Sequence, residues 1–211
     1  MPNIFDDRPW DPLYAIAFLG MGLADVRLAI TAPFQAPYFS FFNALCVGIF
    51  NFIAAYFFAF RHKAQQVASL GQSIVGVISF FLPSLVYWLS TVVPSNSNLQ
   101  VLGLGFMVVG VVVIPIALGS LGKSFAVIPA RREIVTKGIY RFIRHPMYFG
   151  EILMGIGVLL AYFNAVNLAI TLGSVLTLLL RIRWEEGLLS QSPDYVLYKA
   201  RVKYRFIPFI W

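Results

Sequence analysis

Charge is what this sequence has least of. Of its 211 residues only 12% are Asp, Glu, Lys or Arg, about half the share of a soluble domain. It holds a single cysteine, two histidines and nine acidic residues. One cysteine excludes a disulfide framework and a cysteine-based metal cage. Cys46 lies inside an apolar run and reads as a small buried hydrophobe. Scarce charge beside 59% hydrophobic residues and a mean hydropathy of +0.79 excludes a soluble fold, because a core of this length could not bury so much apolar surface. The opening MPNIFDDRPWDP lacks the basic start of a secretory signal, so the expectation is that it is not a cleaved leader.

What is present is a series of apolar runs. They extend from Leu13 to Ile30, Phe41 to Phe60, Ser73 to Val93, Leu99 to Leu121, Met147 to Phe163 and Leu168 to Leu180. The length allows five or six spans of about 20 residues. The first run carries Asp25 and Arg27 near its end and is the weakest. Pro83 and Pro115 fall inside the third and fourth, where neighbouring helices can satisfy a freed carbonyl. The fifth and sixth are short, and the turn from Asn164 to Asn167 makes them a helical hairpin. The expected fold is an all-α integral membrane protein with five to six transmembrane helices, forming one domain over residues 1–211.

The net charge of +7 is uneven, for twelve of the 16 Lys and Arg lie between Lys123 and Arg205. No nucleic-acid motif accompanies them, so no nucleic-acid partner is expected. Basic loops alternate with loops at 94–98 and 164–167 that hold no Lys or Arg, and the positive-inside rule puts the basic ones in the cytoplasm. Six spans leave both termini there, and five move the N-terminus across. After the sixth run, Tyr195, Tyr198, Val202 and Phe206 recur every three or four residues. This spacing predicts an amphipathic cytoplasmic tail helix lying on membrane lipids. Ser192 is placed to cap it, Pro193 to start it and Asp194 to meet its positive end.

Two polar patches interrupt the apolar sequence: KGIYRFIRHPMYFG, from Lys137 to Gly150, and RIRWEEGLL, from Arg181 to Leu189. Charges near or inside spans are expensive and default to functional candidates; here they are Glu151, Arg181, Glu185 and Glu186. Arg181 and Glu185 share a face if the sixth helix continues past Leu180, although an ion pair ending a span has the same spacing. Pro146 restricts His145 to extended backbone and starts a helix whose first turn presents backbone N–H groups to a polar ligand. Tyr140, Phe142, Tyr148 and Phe149 add aromatic surface that, with carboxylates, suits a cationic ligand such as a sulfonium. An interfacial aromatic belt with snorkelling arginines would use the same residue types.

Taken together, the motifs resemble the isoprenylcysteine carboxyl methyltransferase family and related phospholipid methyltransferases. They are Gly138-x-Tyr140, Arg144-His145-Pro146-x-Tyr148-x-Gly150, Arg181-x-x-x-Glu185-Glu186, Tyr195-x-x-Tyr198-x-x-Arg201-Val202 and Ile207-Pro208-Phe209. The resemblance covers roughly residues 119–210. One departure is the stretch between Glu186 and Tyr195, which is shorter than usual and lacks a Phe-Gly pair. The resemblance implies S-adenosyl-L-methionine as cofactor, in a cytoplasmic-side pocket closed by the C-terminal helices. Residues 1–118 would then be a transmembrane scaffold, and residues 119–211 the cofactor-binding and catalytic region.

Carried over by motif, Tyr140, His145, Pro146, Met147, Tyr148 and Glu185 would contact the cofactor, as would the backbone of Arg132, Glu133, Ile134 and Val135. Arg181 would orient a lipophilic methyl acceptor at the membrane. Glu151 has no counterpart, and helix packing or support of a neighbouring site residue suits it best. A carboxylate acceptor, such as that of a prenylcysteine, needs only a cation to place it. An amine would need a proton removed, with His145 or Glu186 to help, and a small thiol is the third acceptor class. No metal is expected. A nicotinamide-dependent membrane reductase of the sterol reductase type and a non-catalytic membrane protein are the competing readings. The expected location is a bacterial inner membrane or a eukaryotic endoplasmic reticulum.

Overall fold

The structure is a computed structural model that describes residues 11–31, 38–60, 66–90, 98–124, 130–131 and 133–207. Arg132 and Ile207-Pro208-Phe209 beyond Ile207 lie outside these residues. Within them the regular structure is helical apart from one two-residue strand pair. The helices are α1 (Asp11–Thr31), α2 (Tyr38–Phe60), α3 (Leu70–Ser90), α4 (Gln100–Leu121), α5 (Pro146–Ala161), α6 (Ala165–Leu189) and α7 (Pro193–Arg201). Each of the six apolar runs becomes one helix. Among the described residues, α4 and α6 are long and apolar enough to cross a membrane, while Pro146–Ala161 is a shorter apolar helix. Large aliphatic side chains point outward along these helices, with Val101 85% and Leu172 61% exposed.

The first helix holds its charge in an unexpected way. Asp25 is buried, and Asn51 Nδ2 donates to its Oδ2 at 2.8 Å. A buried carboxylate is tolerable only with such a partner. The interaction pins α1 to α2, where Gly48 sits against Asp25 and Gly22 against the Phe52 ring. Phe18 and Phe58 stack across the same pair, with centroids 5.3 Å apart.

The expected hairpin of α5 and α6 needs correction. The turn between them is tight: Asn164 Oδ1 accepts from the Asn167 backbone N–H at 2.9 Å, and Asn167 Nδ2 donates to the Tyr162 carbonyl at 2.8 Å. The arms, however, find their main partners elsewhere, α5 on α4 and α6 on α3. Glycines explain the first choice. A Cβ on Gly103 would lie 2.5 Å from the Gly157 carbonyl oxygen, and one on Gly110 would lie 2.7 Å from that of Gly150. The two backbones therefore touch, as small residues permit between membrane helices. The sixth helix is also not short. It continues to Leu189 and so carries the second polar patch on the same rigid rod.

A second correction concerns the tail. Helix α7 ends at Arg201, and Val202 is extended. Ser192 makes no side-chain cap, although Pro193 and Asp194 occupy the first turn. Tyr195, Tyr198, Val202 and Phe206 are all buried in the protein. The first three cluster with Ile134 and Leu189, and Phe206 joins the main core. The 3.6-residue spacing thus selected the inward residues correctly, even though the last two lie past the helix. The strand pair Gln66–Val67 and Ala130–Arg131 is antiparallel. It joins the connection after α2 to the polar segment before α5, two stretches that share a basic character.

The glycine contacts give a test. Gly157→Ala should lower unfolding stability in detergent by about 2 kcal/mol, because the added methyl meets backbone on α4. Gly105→Ala, with open space around it, should leave stability unchanged or raise it by up to about 1 kcal/mol. Equal effects of the two would remove close α4–α5 contact as the cause.

Candidate functional site

The first polar patch begins at a position only glycine suits. Gly138 has φ of 60° and packs on Ser120 of α4, a conformation that L side chains rarely adopt. The 3-10 turn Gly138–Arg141 that follows turns Tyr140 inward, to 7% exposure. Its carbonyl accepts a 2.8 Å hydrogen bond from the Tyr198 hydroxyl of α7. Next, the Arg144 and His145 backbone N–H groups donate to the carbonyls of Tyr204 and Arg205, at 3.0 and 2.6 Å. The chain after α7 is therefore laced directly to the His145-Pro146 turn.

Glu186 holds that lacing in place. Its carboxylate lies 2.7 Å from Arg144 Nη1, 3.2 Å from His145 Nε2 and 3.2 Å from Arg205 Nε. Arg144 Nη2 also donates to the Lys203 carbonyl. The Arg144 and Glu186 side chains are 6% and 5% exposed, against 27% for Arg205. The Arg144 pair is thus the strong member, and the Arg205 pair is weakened by solvent.

Glu185, one residue earlier, points to a different neighbour. The Tyr148 hydroxyl donates to its Oε2 at 2.5 Å. The Tyr148 ring is stacked on His145, with centroids 5.3 Å apart and planes 15° apart. On its other interaction, the Arg181 guanidinium lies over the Tyr148 ring, 4.8 Å from the centroid. Arg181 is 0% exposed, and its three guanidinium nitrogens have no hydrogen-bond partner among the described residues.

Glu185, Tyr148 and His145 border a cavity that opens to solvent. Of the residues singled out in the sequence, Glu133, Ile134, Val135, Tyr140, His145, Met147, Tyr148 and Glu185 line it. Pro146 does not; it is buried as the first residue of α5. Arg181 lies behind the Tyr148 ring rather than on the wall. Sequence reasoning gave no site role to six wall residues: Leu121, Ser124, Arg144, Leu189, Tyr195 and Tyr198. Arg144 and the two tyrosines stood inside recognised motifs, but periodicity assigned the tyrosines to packing. The buried Tyr195 hydroxyl has no partner among the described residues and is free to donate to a ligand.

Burial, ahead of the nearby Glu185 charge, raises the Tyr140 phenol well above its ordinary range. Burial is also the leading cause for Tyr195 and Tyr198. All three therefore stay neutral hydroxyls at physiological pH and cannot act as bases there. The wall combines two carboxylates, Glu133 and Glu185, with four tyrosines, and its one arginine, Arg144, is paired with Glu186; the carboxylates and aromatic faces favour a ligand carrying positive charge. Among the described residues no group of His, Cys, Asp and Glu could hold a metal ion.

Residues 99–192 match the phospholipid methyltransferase family. The chain is also 32% identical over 117 residues to protein-S-isoprenylcysteine O-methyltransferase B of Arabidopsis thaliana. That match covers 51% of this chain and 58% of the relative, so it spans little more than half of the plant protein's length. Both matches support the family resemblance carried by the motifs.

Removing the shared anchor should expose the tail. Glu186→Ala is expected to cost about 3 kcal/mol, because it strands the buried Arg144. It should also speed amide exchange at Arg144 and His145, whose N–H groups donate to the tail. Tyr198→Phe, which loses one neutral hydrogen bond, should cost about 1 kcal/mol. Retained amide protection in Glu186→Ala would show that the backbone pairing holds without it.

Proposed function

We propose that this chain is an S-adenosylmethionine-dependent membrane methyltransferase that transfers a methyl group to a lipophilic acceptor. The observation that carries the reading is the Tyr148–Glu185 hydrogen bond. It joins the two polar patches at a cavity wall, with the Arg181 cation directly behind. A structural ion pair closing a span would have joined Arg181 to Glu185, and the carboxylate instead takes a phenol at the edge of the cavity.

The residues fit the cofactor. Glu185 and the tyrosine faces suit a cation, and the unpartnered Tyr195 hydroxyl offers a donor. Glu133, Ile134 and Val135 line the same cavity, and Met147 adds an apolar, polarisable surface. When bound, the cofactor supplies a methyl group on a sulfonium, which an in-line displacement can move to a nucleophile. The protein's work is then alignment and exclusion of water. Tyr148, stacked on His145 and tied to Glu185, fixes one wall in a single orientation. Arg181, whose donors are unpartnered, would place an anionic or carbonyl group of the acceptor. His145 is held by Glu186, which gives it a positioning role and leaves it poorly placed as a base.

The acceptor's lipophilic part would approach through the outward aliphatic faces of the helices. The basic loops support a cytoplasmic-side site under the positive-inside rule. We infer a bundle of five to six spans, in which α5 crosses by packing on α4.

Calorimetric titration of the detergent-purified protein decides the reaction class. S-adenosylhomocysteine should bind saturably in the micromolar range and NADPH should not; the reverse result would assign the scaffold to a reductase. Binding of neither by folded protein would make the chain non-catalytic. Glu185→Ala should weaken S-adenosylhomocysteine binding at least about tenfold. Arg181→Ala should lower turnover while cofactor affinity stays nearly intact, and parallel loss of both would move Arg181 to the cofactor side.

A further inference from the structure

Helix α7 is apolar on two faces. Its inward face is spent on protein, since Tyr195 and Tyr198 are buried at the cavity wall. Successive residues of an α-helix turn by about 100°, which puts Val196, Leu197 and Ala200 on the opposite side. All three are exposed, Leu197 to 71%. Lys199 and Arg201 flank this stripe, Lys203 follows it, and they too are exposed. The tyrosine spacing thus marks the face that protein covers, and the face left outward has an apolar centre between cations.

The height of this face along the bundle follows from the backbone. Helix α6 is long and apolar enough to cross a membrane, and α7 starts just past its end, after residues 190–192. The chain beyond α7 then comes back to the start of α5, where the Arg144 and His145 N–H groups donate to the Tyr204 and Arg205 carbonyls. The apolar helix α5 opens there, at Pro146. Arg201 and Lys203 are therefore held at the level where the apolar part of the bundle begins, which is where lipid headgroups lie. The stretch between Tyr140 and Arg144 has the same character, with the Arg141 guanidinium 5.5 Å from the centroid of the exposed Phe142 ring.

Charge names the partner. Among the described residues from 133 onward, the exposed cations are Lys137, Arg141, Arg183, Lys199, Arg201 and Lys203, and the exposed acids are Glu133 and Asp194. The ion pairs of this region go to Glu186 from Arg144, His145 and Arg205, so these six cations have none among the described residues. A soluble polyanion would match them but leave Val196 and Leu197 in water. An anionic lipid surface meets both demands. We propose that the outward face of α7 docks on the membrane and selects anionic phospholipid. Val196, Leu197 and Ala200 enter the headgroup boundary, and Lys199, Arg201 and Lys203 hold lipid phosphates. The proposal rests on the membrane-spanning reading above and not on the methyl-transfer chemistry.

The test measures depth. A nitroxide on Ala200→Cys, in a Cys46→Ala background, reports its surroundings by collision with oxygen and with a water-soluble nickel chelate. The full-length protein is placed in nanodiscs of phosphatidylcholine alone, or of phosphatidylcholine mixed with phosphatidylglycerol. The oxygen-to-nickel collision ratio should be at least about tenfold higher in the mixed discs, since three cations at an anionic surface favour docking by about a hundredfold. The difference should vanish when Lys199→Gln, Arg201→Gln and Lys203→Gln are combined. It should also shrink at high salt, which carries the test if the combined variant does not fold. A label equally wet in both discs, or equally dry in both, would overturn the proposal. So would spin–spin broadening, which would show a second copy covering this face. A control nitroxide on Leu172→Cys, an exposed position of α6, should meet oxygen rather than nickel in both discs. Nickel access there would sink the membrane-spanning reading, and this proposal with it.

Discussion

The carboxylate of Glu186 is the contact on which the rest of the site depends. Three segments far apart in sequence meet on it: the turn at Arg144 and His145, the end of α6, and the tail at Arg205. Without a negative charge there, Arg144 would be a buried cation with little to balance it. The tail would lose its reason to run beside the His145-Pro146 turn. Because Glu185 is its neighbour on the same helix, fixing Glu186 also fixes the distance from Glu185 to Tyr148. Site geometry and tail closure are therefore one interaction, not two.

The scaffold contributes by holding α5 still. Glycines at 103, 110, 150 and 157 bring the α4 and α5 backbones together, and Gly138 settles the incoming chain on Ser120 of α4. A helix locked along its length presents Tyr148 and Glu151 at fixed heights. The asparagine turn at 164–167 then returns α6 at a set register, so that Arg181 and Glu185 arrive opposite them. None of these contacts lies on the cavity wall, yet each sets the height of a group on or beside it.

Much of this was legible in the sequence because apolar runs and helix ends leave local signals. The six runs became six helices, and Pro146 and Pro193 stand where helices begin. Long-range choices were not legible. The tight turn implied that α5 pairs with α6, but the glycines of α4 offered a closer surface, and glycine in an apolar run looks the same whatever it faces. The tail's spacing identified Tyr195, Tyr198, Val202 and Phe206 as one set. It could not say that protein rather than lipid covers them, since either apolar surface satisfies the same pattern. The motif residues at 133–135, 140, 145, 147, 148 and 185 do meet around one cavity, while Arg181 stands behind it. Spacing shows which residues share a face, and depth along the helix only emerges once both helices are placed.

The paired carboxylates show why a motif is not a uniform set of site residues. Adjacent positions on an α-helix differ by about 100° in direction, so Glu185 and Glu186 cannot face the same partner. Glu186 takes the basic side, where Arg144, His145 and Arg205 consume its oxygens. Glu185 takes the cavity side, where Tyr148 supplies one hydrogen bond to one of its oxygens. A carboxylate fully enclosed by cations is a poor ligand for another cation. One that keeps an oxygen beside an open cavity retains the field a sulfonium would meet. The division of labour follows from helix geometry and charge alone: Glu186 closes the site, and Glu185 gives it its sign.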